Sequence, residues 1–228
     1  MATLPFKALN LYTSPLSGSS ARIRIAAHLK SIPLIHHTIS LTSHDQFSPA
    51  YLSINPNGSV PSLIIEPSNE SPFQSNLTIT QSPAILDFLE THFPNPPLLP
   101  AVSQIEKRAR VLELTSLVAC DIQPPQSSRI RRKIVEEFGG DGAKWAKYIY
   151  DRGFGVYEGF LKRGEQGRYS VGDEVTLADL FLVPAFQGGL RVGVEAEKWP
   201  LVKGVVDRCW ELEAFRTNGV GQHGRLIP

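Results

Sequence analysis

Between the two halves of the chain stands Phe93-Pro94-Asn95-Pro96-Pro97-Leu98-Leu99-Pro100, with four prolines in eight residues. Each proline fixes φ and removes a backbone donor, so neither a helix nor an inner sheet strand can run through it. The segment 94–100 is read as a linker, because the periodicity of the sequence changes across it. Before it, short strand-like and helix-like runs alternate. After it, every periodic run is helical. The chain therefore divides into a mixed α/β unit, 1–93, and an all-helical unit, 101–228.

Working back from the linker, Gln81-Ser82-Pro83-Ala84-Ile85-Leu86 is a marked helix start. Ser82 is expected to cap it, and Pro83 stands in the first turn, where a missing N–H costs nothing. Ser62–Glu66 and Leu77–Thr80 read as the strands of a hairpin, joined by a polar loop, 67–76, that is long for the purpose. Asn55-Pro56-Asn57-Gly58 is a turn, preceded by a weak helix over 43–54 that Pro49 interrupts. Ala8–Tyr12 and Leu34–Leu41 alternate as strands. Between them Arg22–Lys30 has a helical period, with Ile25, Ala26 and Leu29 on one side. The neighbours His36 and His37 point to opposite faces of their strand, which excludes a shared metal site. Strand, helix, strand, helix, strand, strand, helix is the order of a small mixed sheet with a parallel crossover and a closing hairpin.

Forward from the linker, helical periods cover 106–119, 126–138, 143–162, 177–190 and 202–215. Thr176-Leu177-Ala178-Asp179 has the spacing of a capping box, with aspartate in place of the usual glutamate.

Composition narrows the function. The 228 residues are 42% hydrophobic and 20% charged, with a formal net charge of +1. That balance lacks the basic surplus of a nucleic-acid platform, and Arg129–Lys133 is read as a solvated helix face. The two cysteines, Cys120 and Cys209, form no disulfide framework and no metal cluster; Cys120 is expected to pack as a small apolar residue. No secretory leader and no membrane-length apolar run is legible, so a cytoplasmic location is expected and no membrane partner.

Five strings occur in one order: Ser17-Gly-Ser-Ser-Ala-Arg-Ile-Arg-Ile-Ala26, Leu52-Ser-Ile-Asn-Pro-Asn-Gly-Ser-Val-Pro-Ser-Leu63, Gln81-Ser82, Asp121-Ile-Gln-Pro124 and Val171-Gly-Asp-Glu-Val-Thr-Leu-Ala-Asp179. Through them nearly the whole chain resembles the zeta-class glutathione transferase and maleylacetoacetate isomerase family. The resemblance implies a thioredoxin-like N-terminal domain, an all-α C-terminal domain, glutathione as cofactor and a homodimer. It also implies glutathione-dependent cis–trans isomerisation of a conjugated oxo-diacid such as maleylacetoacetate. Conjugation of small electrophiles, isomerisation of another enone, or a non-catalytic glutathione-binding module are the alternatives.

A thiol titrating near ~8.5 is only a few per cent ionised at neutral pH, and lowering this by about two units requires about 2.7 kcal/mol in favour of the anion. A hydroxyl and the amides of a helix start supply such a preference. By the resemblance Ser17 is the thiolate-stabilising hydroxyl, and Ser17, Ser19 and Arg191 form the catalytic set. Gln46, Val60, Pro61, Gln81, Ser82 and Gln123, with Ser17, are the glutathione contacts, and the Val60-Pro61 bond is cis. No metal is implied. The family's Ser-Ser-Cys is here Ser17-Gly18-Ser19, so the second hydroxyl is lost and the cysteine replaced. Ser17 read from the run alone is equally a helix cap, Gln46 and Gln123 surface amides, and Arg191 either a surface arginine or the group that orients a substrate carboxylate.

Overall fold

The computed structural model describes residues 6–164 and 166–220; the ends of both sequence-derived units, 1–5 and 221–228, lie outside the described residues. The N-terminal elements are β1 (Phe6–Thr13), α1 (Gly18–Leu29), β2 (Ile35–Thr38), α2 (Pro49–Leu52), β3 (Ser62–Pro67), β4 (Leu77–Thr80) and α3 (Ser82–His92). The sheet order is β2-β1-β3-β4. β1 pairs parallel with β2, Tyr12 opposite His37, and antiparallel with β3, Leu11 opposite Leu63. β3 and β4 form the expected hairpin, Leu63 opposite Ile79. Its long loop is anchored by one apolar residue, Phe73, which stacks on Phe6 at 6.0 Å.

Three local expectations for these N-terminal elements are corrected. The weak helix over 43–54 contracts to a 3-10 turn, Asp45–Phe47, and the single turn of α2, because Ser48 is extended and starts a new helix at Pro49. Ser82 does not cap α3. Gln81 takes the cap position with φ 73°, and Ser82, first inside the helix, turns its hydroxyl to Arg22 Nη1 at 3.0 Å. Finally, α1 is not one-sided: Ser20 to Ala27 are all buried. One side of the helix meets α3 while others meet α7 and α9, which the local period could not foretell.

The remaining helices are α4 (Ile105–Ser116), α5 (Ser128–Phe138), α6 (Gly142–Leu161), α7 (Leu177–Arg191), α8 (Pro200–Trp210) and α9 (Glu213–Asn218). α4 continues as a π-helical stretch, Leu117–Ile122, which turns Val118 and Ile122 inward. The same wide turn leaves Cys120 exposed, against the expectation that it packs, whereas Cys209 is buried. The helix expected over 202–215 is broken at Leu212, whose backbone is extended and whose side chain packs on the core. α7 is the central helix and is buried along most of its length. The Asp179 carboxylate receives the Thr176 N–H at 2.8 Å and the Ser170 N–H at 2.9 Å, so the capping box also ties down the preceding loop.

The proline segment is held rather than free. The buried Lys30 ammonium donates to the carbonyls of Phe93 and Pro96 and to Glu90 Oε1, each at 2.7 Å. Glu90 in turn accepts the Leu98 N–H at 3.1 Å and the Leu99 N–H at 3.2 Å. Leu98 is buried, and its carbonyl takes the first amide of α7, Leu177, at 2.8 Å. Sequence positions 30, 90, 98 and 177 thus meet at one joint.

Candidate active site at the start of the first helix

A cleft of about 930 Å³ opens over the N-terminus of α1. Its walls are the α1 start, the loops around Leu41–Phe47 and Asn57–Val60, the segment Gln123–Arg132, Tyr150, and the C-terminal part of α7. It brings Ser17, Ser19, Gln46, Val60, Gln123 and Arg191 together. Pro61, Gln81 and Ser82 are not among its wall residues.

Ser17 is extended at the N-cap of α1, and its hydroxyl oxygen accepts the Ser20 N–H at 3.1 Å. The oxygen is engaged as an acceptor, which leaves its proton for another partner. The first-turn amides of Gly18 and Ser19 stand at the positive end of the helix. Glycine at 18 has a local reason. A Cβ there would lie 3.3 Å from the Cβ of Pro184 in α7, so this helix start sits tight against its neighbour.

Ser19 is held from across the cleft. Gln123 Nε2 donates to its hydroxyl at 2.6 Å, and the Gln123 carbonyl accepts from Arg22 Nη2. Arg22 is buried, lies 3.8 Å over the Phe181 ring, and donates its other terminal nitrogen to Ser82. Burial pushes its pKa down to about 9, slightly opposed by the field of Tyr150. Gln46 is buried with its Oε1 unpartnered. The Val60-Pro61 bond is cis, as the resemblance implies, and Val60 lies just outside the ladder that begins at Ser62. The adjoining loop is fixed by Tyr51 and Asn55, which both donate to the Ser59 carbonyl at 2.7 Å.

The opposite wall is cationic. Arg129, Arg131, Arg132 and Arg191 line it, with no aspartate or glutamate among the wall residues. Burial lowers the Arg191 pKa, and Tyr150 counters this. Tyr150 is itself buried and raised to about 12 by desolvation, against the pull of Arg131, Arg191 and Arg22. Glycine at 188 makes room for it, since a Cβ there would fall 2.2 Å from the Tyr150 hydroxyl.

Sequence reasoning missed five of these residues. Arg22 and Tyr150 stand inside ordinary helical patterns and carry no local signal. Arg131 belongs to the run taken as a solvated face; α5 does have no buried residue, but that run also supplies Arg129, Arg131 and Arg132 to the cleft. Arg129 further donates to the Asn57 carbonyl at 2.8 Å across the opening. No described helix is long and apolar enough to cross a membrane, and no group of three or more His, Cys, Asp or Glu among the described residues could hold a metal ion.

Residues 16–92 match the family model for the glutathione S-transferase N-terminal domain, and residues 147–213 match that for its C-terminal domain. A maleylacetoacetate isomerase of Emericella nidulans is 43% identical over 87% of this chain and 86% of its own length. The solved holo structure of a maleylpyruvate isomerase, described as a bacterial zeta-class glutathione S-transferase, has a TM-score of 0.83 at 36% identity, covering 92% of this chain and 96% of that one. A maleylacetoacetate isomerase of Methylobacterium extorquens, solved with malonate and glutathione bound, has a TM-score of 0.82 at 31% identity over 92% and 95% of the two chains. On the strength of both halves and of this whole-chain likeness, the chain belongs to the glutathione S-transferase family, in the zeta class that contains the maleylacetoacetate isomerases.

Proposed function

We propose that this protein is a glutathione-dependent isomerase that converts maleylacetoacetate to fumarylacetoacetate. One observation supports this above the others: a hydroxyl-bearing helix start and a wall that carries four arginines and no carboxylate line one cleft. The first suits a sulfur anion, the second a dicarboxylate.

The residues present fit glutathione. The buried, unpartnered Gln46 carbonyl calls for a donor such as a peptide N–H. Val60 offers a backbone edge outside the ladder, to which an extended peptide adds like a strand. Ser82 and Gln81, at the start of α3, would take the γ-glutamyl end, and Gln123 would complete the contacts from the helical side. When bound, glutathione supplies a nucleophilic sulfur that joins and later leaves the cis alkene carbon conjugated with a carbonyl, so that the former double bond can rotate.

This chain's own groups do the rest. Ser17 and Ser19 donate hydrogen bonds to the sulfur position, and the helix-start amides add a fixed positive field. No cysteine is needed there, because the nucleophile does not come from the chain. Arg191 pairs with a substrate carboxylate and favours negative charge developing on the adjoining carbonyl oxygen. We further assign the glutathione site to residues 1–93 and the substrate wall to 101–228, joined by 94–100, and infer a cytoplasmic homodimer.

Turnover with glutathione and maleylacetoacetate tests the reading, following double-bond geometry and free thiol together. Trans product with full thiol recovery is the expected result. Thiol consumed in step with product would instead mark a conjugating transferase, and binding without turnover a glutathione-binding module.

A further inference from the structure

Arg22 sits where no carboxylate of the described residues reaches it, yet it donates to two partners far apart in sequence. One is the Ser82 hydroxyl at 3.0 Å; the other is the Gln123 carbonyl, whose amide nitrogen donates to Ser19 at 2.6 Å. Direction matters in such a chain. A guanidinium can only donate, so the Gln123 oxygen must accept and the Gln123 nitrogen must give. Ser19 is thereby fixed as an acceptor from Gln123, and its own proton is directed elsewhere. Ser82 is fixed in the same manner by Arg22.

We propose that Arg22 and Gln123 are positioning residues that hold the Ser19 hydroxyl as a donor toward the sulfur of bound glutathione. The serine that replaces the family's cysteine is then a second thiolate donor beside Ser17, wired through an amide to a buried cation. Each bond in the series polarises the next, and the cation at its far end makes Ser19 a better donor than a free serine. Burial keeps that effect large, since little water competes around Arg22. If Gln123 did no more than contact glutathione, its loss would weaken binding and leave thiol acidity unchanged.

This inference rests on glutathione binding at the cleft, so the experiment reads bound thiol rather than turnover. The thiol pKa of glutathione on the full-length protein is titrated through its ultraviolet thiolate absorbance. The variants are Ser19→Ala, Gln123→Leu, the length-matched Gln123→Met, and the double variant Ser19→Ala/Gln123→Leu. Ser19→Ala and each Gln123 variant should raise the pKa by about one unit, a tenfold fall in the ratio of thiolate to thiol at fixed pH. The double variant should be no worse than Ser19→Ala alone, because both changes break one series. The proposal is overturned by a wild-type pKa in both Gln123 variants, by no effect of Ser19→Ala, or by additive shifts in the double variant. Wild-type protein that holds no thiolate at all would remove the glutathione reading together with it; a normal thiolate that ignores Gln123 removes this inference alone.

Discussion

Replacing Lys30 with methionine tests the joint that holds the two halves together. The lysine side chain is wholly buried and the Glu90 side chain only 12% exposed, so solvent screens their contact little. Lys30→Met keeps the length of the side chain but removes donors from Glu90 and from the Phe93 and Pro96 carbonyls. Breaking a buried pair by removing one partner costs about 3–5 kcal/mol. With about 2.1 cal/mol/K of unfolding entropy per residue, a chain of 228 residues loses about 6–10 °C in Tm. The control is Lys30→Met/Glu90→Gln, which neutralises the abandoned carboxylate yet keeps an acceptor for the Leu98 amide. It should recover about 2 °C or more over the single variant. Thermal unfolding followed by circular dichroism gives both numbers. A single variant within about 2 °C of wild type would refute the reasoning, and so would a double variant less stable than the single one.

Ser17→Ala should raise the thiol pKa of bound glutathione and cut turnover about tenfold or more, through loss of a charge-assisted hydrogen bond of about 1.5–3 kcal/mol. Unchanged acidity would show that the hydroxyl only caps α1. Arg191→Ala should raise KM for the diacid by about 10- to 100-fold on the same range, with the glutathione Kd unmoved; equal loss of both would place the arginine elsewhere. Tyr150 is raised to about 12 by burial, so the folded state keeps a proton that the unfolded chain releases near pH 10. Stability should therefore fall between pH 10 and 12, by up to about 2.7 kcal/mol from this group, and Tyr150→Phe should flatten that decline in urea titrations. Parallel curves for the two proteins would contradict it. A thiol reagent should label Cys120 in the native protein and Cys209 only after unfolding, since one is exposed while burial drives the other's thiol upward; peptide mapping that finds native Cys209 labelled would overturn this.

Elements that announce themselves locally were legible. The alternation in β1, the turn before Val60, the proline at the head of α3 and the Thr176–Asp179 cap each satisfy a short-range requirement, and each stands in the structure. What was not legible depends on packing from afar. The helical period of α1 marks a preferred side, but only the arrival of α7 and α9 buries the remainder. Ser82 has the composition of a cap and is drawn away by an arginine sixty residues upstream. The Arg129–Lys133 run looks solvated because α5 buries nothing, and it faces a cleft only because the loop bearing Asn57 closes the other side. Site residues could be named from the resemblance, but their relay could not. Neither Arg22 nor Gln123 reveals its partner until the fold sets residues 101 positions apart in contact.

Those long-range partners tie the chemistry to the fold. Arg22 and Arg24 both leave α1 into buried surroundings without an acidic partner among the described residues, a costly arrangement unless hydrogen bonds satisfy them. Arg24 finds Thr13 Oγ1 at 2.7 Å within the α/β half, but also the Asn218 carbonyl of α9 at 3.1 Å. Arg22 needs Gln123 and the face of Phe181, both from the helical half. An isolated α/β half would therefore expose the apolar flank of α1 and leave these two guanidinium groups short of partners. The same contacts complete the cleft, because Gln123 orients Ser19 and Pro184 presses on Gly18. Docking the helices thus supplies hydrogen-bond partners to both buried arginines, although Arg22 Nε and Arg24 Nη2 stay unpartnered, and sets the hydroxyl geometry in the same event. In this chain the proposed site for a sulfur anion is a product of tertiary packing, and the local sequence at Ser17–Ser20 supplies only its raw groups.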